Sequence, residues 1–232
     1  VKVVLPEKLN AISNNLFDAC DALKDITLPE GVVTIGKAAF QKCSSLVELT
    51  LPKSVTTIGE SAFYDCPSLA TTNVPEGVTA IETGTYQACS SLDSLELPVG
   101  IKSIGARAFQ NSGLTSMVIP EGCTSLGNSS FRYLGRLERI DIPASVTTIG
   151  DYAFFQSFPK IYGKVGSYAQ TYAESVGLEF VDIDAPEVVE PTAIELDHTG
   201  TVTVKVGETL TLAATLTPAD AQTTITWSSS DE

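Results

Sequence analysis

The sequence is poor in the residues that most active-site chemistry requires. Its 232 residues include one histidine, one tryptophan and one methionine, and 14 Lys and Arg stand against 28 Asp and Glu. With a formal net charge of −14 the chain offers no basic face for phosphate, which excludes nucleic acid as a partner on electrostatic grounds. No run of 18 apolar residues is present, so the sequence holds no candidate transmembrane helix. The lone His198 lies between Asp197 and Thr199, with no nucleophile fixed near it in sequence. Asp and Glu are scattered without the spacing of a catalytic pair. The chain therefore reads as a non-enzyme, with no catalytic residue, cofactor site or metal site assigned.

The five cysteines also lack the short spacings of a zinc or redox motif. Cys20, Cys43, Cys66 and Cys89 are instead separated by 23 residues each, which makes them one repeated position. Side chains that project in parallel from stacked coils are poorly placed for a disulfide. They are expected to form a buried ladder of free thiols that pack as small hydrophobes, with Cys123 also in the core.

What the sequence has in abundance is period. Prolines recur at Pro6, Pro29, Pro52, Pro75, Pro98, Pro120 and Pro143, and aromatics keep step at Phe17, Phe40, Phe63, Tyr86, Phe109, Phe131 and Phe154. The interval is 23 residues, except for one of 22 where Asn111-Ser112-Gly113 shortens a corner. A repeat of this size cannot bury its own apolar face, so the units must stack into a solenoid of about seven coils joined by parallel ladders. The shortened corner should tighten the stack without breaking register.

Residues 46–66 show the local logic. Leu49 and Leu51 alternate with Thr50 as in a strand with one buried side, and Pro52 ends the ladder. Val55-Thr56-Thr57-Ile58 is β-branched and predicts a second short strand, with Gly59 expected at a positive-φ bend. Ala62-Phe63 is expected in a tight or single-turn helical segment. In the fourth unit Glu82 stands where glycine does elsewhere and Tyr86 replaces phenylalanine, so its hydroxyl should find a partner or reach water.

After Phe154 the pattern changes. Ser167 with Gln170 forms a capping box and Gly177 a stop, predicting a helix whose stripe Tyr168, Tyr172 and Val176 faces the last coil. Leu178–Val181 should add a closing strand, which ends the solenoid domain at residue 181. Residues 182–191 read as an acidic linker; calcium at Asp182, Asp184, Glu187 and Glu190 is conceivable, but a solvated spacer is the plainer account. Residues 192–232 hold alternating strands and end just after the candidate core residue Trp227. With Val1 already inside a strand, the sequence reads as a piece of a longer protein.

The unit Leu-x-x-Leu-x-Leu-Pro-x-x-Val-Thr-x-Ile-Gly-x-x-Ala-Phe-x-x-Cys resembles the BspA-type leucine-rich repeat of bacterial surface proteins over residues 1–181. The segment from Ile161 to Ala173 resembles that family's C-terminal closing segment. Residues 192–232, through Val206-Gly207-Glu208-Thr209-Leu210-Thr211-Leu212 and Leu216-Thr217-Pro218-Ala219-Asp220-Ala221, are similar to the first half of a group 2 bacterial Ig-like domain. The implied fold is mainly β: a leucine-rich repeat solenoid with a capping helix, followed by a partial Ig-like sandwich. The resemblance also implies a secreted or cell-surface protein that binds host or bacterial surface or extracellular-matrix protein.

On that reading the partner-binding face is the outer side of the first strands: Glu48, Thr50, Thr71, Asn73, Ser94, Glu96, Ser116, Arg139 and Asp141. No aromatic falls on this face, so sugar stacking is not expected there. Tyr64 and Phe155, each one position after a core aromatic, form a candidate lateral patch. The alternatives are a spacer or accessory segment of a larger secreted enzyme, or a carbohydrate-binding module, which would need clustered surface aromatics.

Overall fold

A computed structural model describes residues 2–185, 191–197 and 213–219, together with positions 203, 205, 209, 211 and 223. The chain divides into a unit ending at Asp184 and another beginning at Ala185. In the first unit the strands are short. In chain order they are β1 (Lys2–Val3), β2 (Ala11–Ile12), β3 (Asp25–Ile26), β4 (Thr34–Ile35), β5 (Glu48–Leu49), β6 (Thr57–Ile58), β7 (Thr71–Thr72) and β8 (Ala80–Ile81). They continue as β9 (Ser103–Ile104), β10 (Ser116–Val118), β11 (Ser125–Leu126), β12 (Arg139–Asp141), β13 (Thr148–Ile149) and β14 (Lys160–Gly163). Helix α1 (Tyr168–Val176) and β15 (Phe180–Asp182) follow. We number the coils 1 to 7 by their aromatics, Phe17 to Phe154.

The first strands of the coils pair in parallel as β1-β3, β5-β7 and β10-β12-β14-β15, and the second strands as β2-β4-β6 and β8-β9-β11-β13. No coil interface loses both ladders, because where one lapses the other continues. The third side of each coil, around the aromatic, was expected to include a tight or helical turn. It is a ladder of tight turns with no helix in it. Alternate N–H groups donate to the next coil, as in Ala38 to Glu60, Phe40 to Ala62 and Lys42 to Tyr64, and those between them close turns within the coil, as in Gln41 to Ala38. This arrangement places two residues per coil at positive φ, for example Ala38 and Lys42, or Ser61 and Asp65. Thirteen of these positions are not glycine, so the strain is offset by hydrogen bonds that run the length of the stack.

Glycine serves a different purpose from the one its position in sequence suggests. Gly59 is not at positive φ; a Cβ there would lie 2.6 Å from the Lys37 backbone nitrogen of the coil before. Gly36, Gly105 and Gly127 face the preceding coil at 2.5–2.6 Å in the same way. Such distances are too short for any side chain, so this column of glycines sets how closely the second strands stack. Where Glu82 replaces the glycine, the ladder lapses between β6 and β8, and no Glu82 N–H to Ile58 bond matches the Gly59-to-Ile35 and Gly105-to-Ile81 bonds. Ser13 occupies the position in coil 1, below which no described coil lies.

One interior runs through the unit. The seven aromatic rings stack in a single column, neighbouring centroids 5.2–5.7 Å apart. The 22-residue step is absorbed without loss of register: Phe109 stacks on Phe131, and Ser125 pairs with Ser103. Tyr86 is fully buried, and its hydroxyl neither reaches solvent nor finds a protein partner, contrary to expectation. The column was built for phenylalanine and leaves no polar atom opposite that oxygen.

All five cysteines are free. Cys43, Cys66 and Cys89 are buried and do more than pack: their thiols donate to the carbonyls of Phe17, Phe40 and Phe63 at 3.0–3.1 Å. Ser157 repeats the contact with Phe131 at 2.7 Å. Burial pushes the Cys43 and Cys66 thiols up from 9.0 to about 12, and Cys89 and Cys123 upward as well. Cys20 is only half-buried.

Helix α1 starts at its Ser167 cap and stops at Gly177, whose φ is 72°. The stripe it buries is Ala169 and Ala173 with half-buried Tyr172; Tyr168 and Val176 are exposed, contrary to the expected stripe. Small residues win because the helix lies close over β14, where a Cβ on Gly163 would meet Ala169 at 3.6 Å. β15 adds to β14 as the closing strand. The acidic stretch begins within this unit: Asp182 ends β15, the Ile183 N–H donates to Gly163, and Asp184 pairs with Lys164 at 3.6 Å.

In the second unit β16 (Ala193–Leu196) and β17 (Ala214–Thr217) form an antiparallel pair. The expected strand at 202–206 is described only at positions 203 and 205. His198, Trp227 and the strand expected at 224–227 lie outside the described residues.

Candidate functional site

The first strands carry the candidate face. Pro52 and its equivalents end each strand, and alternation sends Leu49, Met117 and Ile140 inward while Glu48, Thr50, Ser116 and Arg139 remain exposed. Parallel register aligns these residues in rows, with Glu48 opposite Thr71 and Ser116 opposite Arg139, which in turn is opposite Lys160. Thr71, Ser94 and Glu96 are exposed too. Two grooves lie along the face: one of about 750 Å³ includes Glu48, Thr50 and Asn73, and one of about 460 Å³ includes Thr71, Ser94 and Glu96.

Not every residue on this face is available to a partner. Asn73 is half-buried, and its amide group accepts from Leu51 N–H at 2.7 Å and donates to Leu51 C=O at 3.1 Å, standing in for a backbone neighbour. Arg139 and Asp141 hold each other in a bidentate pair at 2.6 and 2.7 Å. The Arg139 guanidinium also lies 3.9 Å from the centre of the Tyr162 ring, so an aromatic borders the face after all. Sequence reasoning missed it because β14 falls after the last full repeat.

The lateral patch is differently composed from the pair expected. Tyr64 is only half-buried and lies four coils from Phe155, so the two do not meet. Phe155 contacts Tyr133 and Tyr152 edge-on at 6.0 and 5.9 Å, and the Arg132 guanidinium sits over all three rings. Tyr133, Tyr152, Phe155 and Phe158 are 40, 65, 42 and 77 % exposed. Tyr152, Phe155 and Phe158 line a groove of about 580 Å³ with Tyr172, Val176 and Leu178 of the cap. A signal was present in the sequence, since Tyr152, Phe155 and Phe158 crowd the last repeat, but it needed the turn geometry to bring Arg132 and Tyr133 alongside.

Among the described residues no group of three or more His, Cys, Asp or Glu side chains could hold a metal ion, and no helix is long and apolar enough to cross a membrane. Glu187 and Glu190 lie outside the described residues.

Comparison with known proteins agrees with this architecture. A comparison with curated protein sequences finds no match. Among solved structures, a leucine-rich repeat protein from Bacteroides ovatus is 26% identical with a TM-score of 0.56, over 78% of this chain and 54% of that one. The present chain thus spans about half the length of that protein. The pneumococcal vaccine antigen PcpA is 16% identical with a TM-score of 0.50, over 77% and 60%, a likeness of fold alone. A leucine rich cell surface protein from Faecalibacterium prausnitzii is 27% identical with a TM-score of 0.39, over 74% and 62%. The family model for the BspA type leucine rich repeat region matches in six copies, over residues 1–93 and 56–165. This chain belongs to the BspA-type leucine-rich repeat family.

Proposed function

We propose that the chain is a non-catalytic, secreted or cell-surface adhesion module that presents its first-strand face to a host or bacterial surface or extracellular-matrix protein. The observation that carries this reading is the alignment of exposed polar side chains in two runs, Glu48 opposite Thr71 and Ser116 opposite Arg139 and Lys160, with exposed Ser94 and Glu96 of coil 5, which forms no first strand, between them. A regular platform of this kind matches a macromolecule better than a metabolite, which calls for a concave and largely apolar pocket. The surface location rests on the resemblance to the family's surface proteins. We further read the second unit as the first half of a bacterial Ig-like sandwich, a reading supported by its motif residues.

The test is binding of the purified chain to immobilised extracellular-matrix and bacterial-surface proteins, compared with a Glu48→Lys, Glu96→Lys double variant. Capture is expected to weaken about tenfold when two charges at the centre of the face are reversed. No capture by any of these proteins, or capture indifferent to the reversal, refutes the assignment.

A further inference from the structure

We infer that a second site, independent of the first-strand face, lies on the aromatic-turn side of coils 4 to 7 and binds a linear oligosaccharide laid along the stacking axis. A groove of about 500 Å³ on this side is lined by one residue per coil from each of several columns. Gln87, Gln110 and Arg132 each follow the core aromatic of coils 4, 5 and 6, and Arg107, Ser129 and Tyr152 each precede that of coils 5, 6 and 7 by two residues. The turn ladder holds these columns in register, with Ala88 donating to Gln110, Asn111 to Arg132 and Ser129 to Asp151. Small Ala106 keeps the floor open.

Part of the groove's hydrogen-bonding capacity is spent, since Asn128 Oδ1 accepts from the Asp151 N–H at 3.1 Å and Arg132 donates to the Tyr133 hydroxyl at 2.8 Å, but much of it is not. Among the described residues, the side chains of Gln87, Arg107 and Asp151 make no hydrogen bond or ion pair, whereas Lys37, Arg139 and Lys160 elsewhere on the unit are each paired with a carboxylate. The Gln110 Oε1 and Arg132 Nε atoms are buried with no partner. Both atoms are closed to solvent and lie beneath the groove wall, so the groups open to a ligand are those of Gln87, Arg107 and Asp151. An amide, a guanidinium group and a carboxylate together ask for a ligand rich in groups that both donate and accept, and hydroxyls meet that demand.

The apolar half of the recognition is adjacent. Tyr152 and Asp151 line both this groove and the aromatic one, so polar and aromatic walls are continuous. An exposed tyrosine ring beside a carboxylate suits a sugar ring, whose C–H face stacks while its edge hydroxyls are held. On this side coils 4 to 7 repeat every 5.3–5.7 Å, about the length of one pyranose unit in a linear chain. Successive sugars of a linear chain would therefore meet successive coils.

The test is migration of the purified chain in native gels cast with xyloglucan, arabinoxylan, mixed-linkage β-glucan, soluble starch or mucin glycans, followed by titration with hexasaccharides of the retarding polymer. Retardation by at least one polymer is expected. Tyr152→Ala and Asp151→Asn should each weaken binding about tenfold. Tyr152→Phe should retain stacking, and Glu48→Lys should leave retardation unchanged. Because Tyr152 and Asp151 are exposed, the variants should melt with the parent, which separates loss of a contact from loss of fold. No retardation by any of the five polymers overturns the inference, as does retardation that survives both Tyr152→Ala and Asp151→Asn. Capture of a protein through this face with no polysaccharide bound also overturns it.

Discussion

Replacing Gly127 with alanine should uncouple two coils without touching the core. The added Cβ would lie 2.5 Å from Ala106 N and 2.6 Å from Gly105 C, both backbone atoms that cannot swing aside. Relief requires the coils to part on that side, as they do where Glu82 takes the glycine position. The bonds at risk are Gly127 N–H to Ile104 at 2.7 Å and Thr124 N–H to Lys102 at 2.9 Å. Two such bonds contribute roughly 1–3 kcal/mol, while alanine regains about 0.4–1 kcal/mol by restricting the unfolded chain. The midpoints give a net expected loss of about 1.3 kcal/mol, or a Tm lower by roughly 3–5 °C for a unit of this size. Calorimetric melts of the parent and Gly127→Ala measure it directly. The reciprocal change, Glu82→Gly, should close the lapsed ladder between β6 and β8 and leave Tm equal or higher. A Gly127→Ala protein that melts at or above the parent would show that close approach is not what the glycines provide.

Tyr86→Phe removes a buried hydroxyl without a partner and should raise stability by about 1–3 kcal/mol in chemical denaturation; a fall would mean that the oxygen is satisfied. Ser157→Ala strands the Leu134 N–H that Ser157 Oγ accepts at 2.7 Å and the Phe131 carbonyl it donates to, and should cost about 1–3 kcal/mol in the same assay. The Cys43 and Cys66 thiols have folded-state values raised from 9.0 to about 12, so their contribution is complete below pH 9 and is lost as pH climbs toward 12. Each removes up to about 1.4 kcal/mol per pH unit in that window. Denaturation at pH 8 and pH 11 reads the difference, and native protein at pH 8 should offer a colorimetric disulfide reagent no more than the half-buried Cys20 thiol until it unfolds.

Much of the candidate first-strand face was legible before folding, because alternation around Leu49 and Leu51 names which neighbours face outward. What alternation could not say is which polar groups are already engaged. Asn73 looks like any exposed amide in sequence, yet it replaces a backbone partner for Leu51. Arg139 looks free, yet it is clamped between Asp141 and the Tyr162 ring. Tyr64 and Phe155 share a repeat position, but a shared column does not make neighbours of residues four coils apart.

The period of proline, aromatic and cysteine was enough by itself to dictate a stack of seven coils with one interior, since equal spacing forces equivalent side chains into columns. Tertiary structure alone decided how the columns are spaced and satisfied. The Ile-Gly glycine exists for the backbone of the preceding coil, which lies 23 residues away and leaves no mark in local sequence. Likewise the thiols donate to carbonyls 26 residues earlier, and the unpartnered groups of Gln110 and Arg132 come together only when coils stack. Local pattern determines which way a side chain points; only packing determines what it meets.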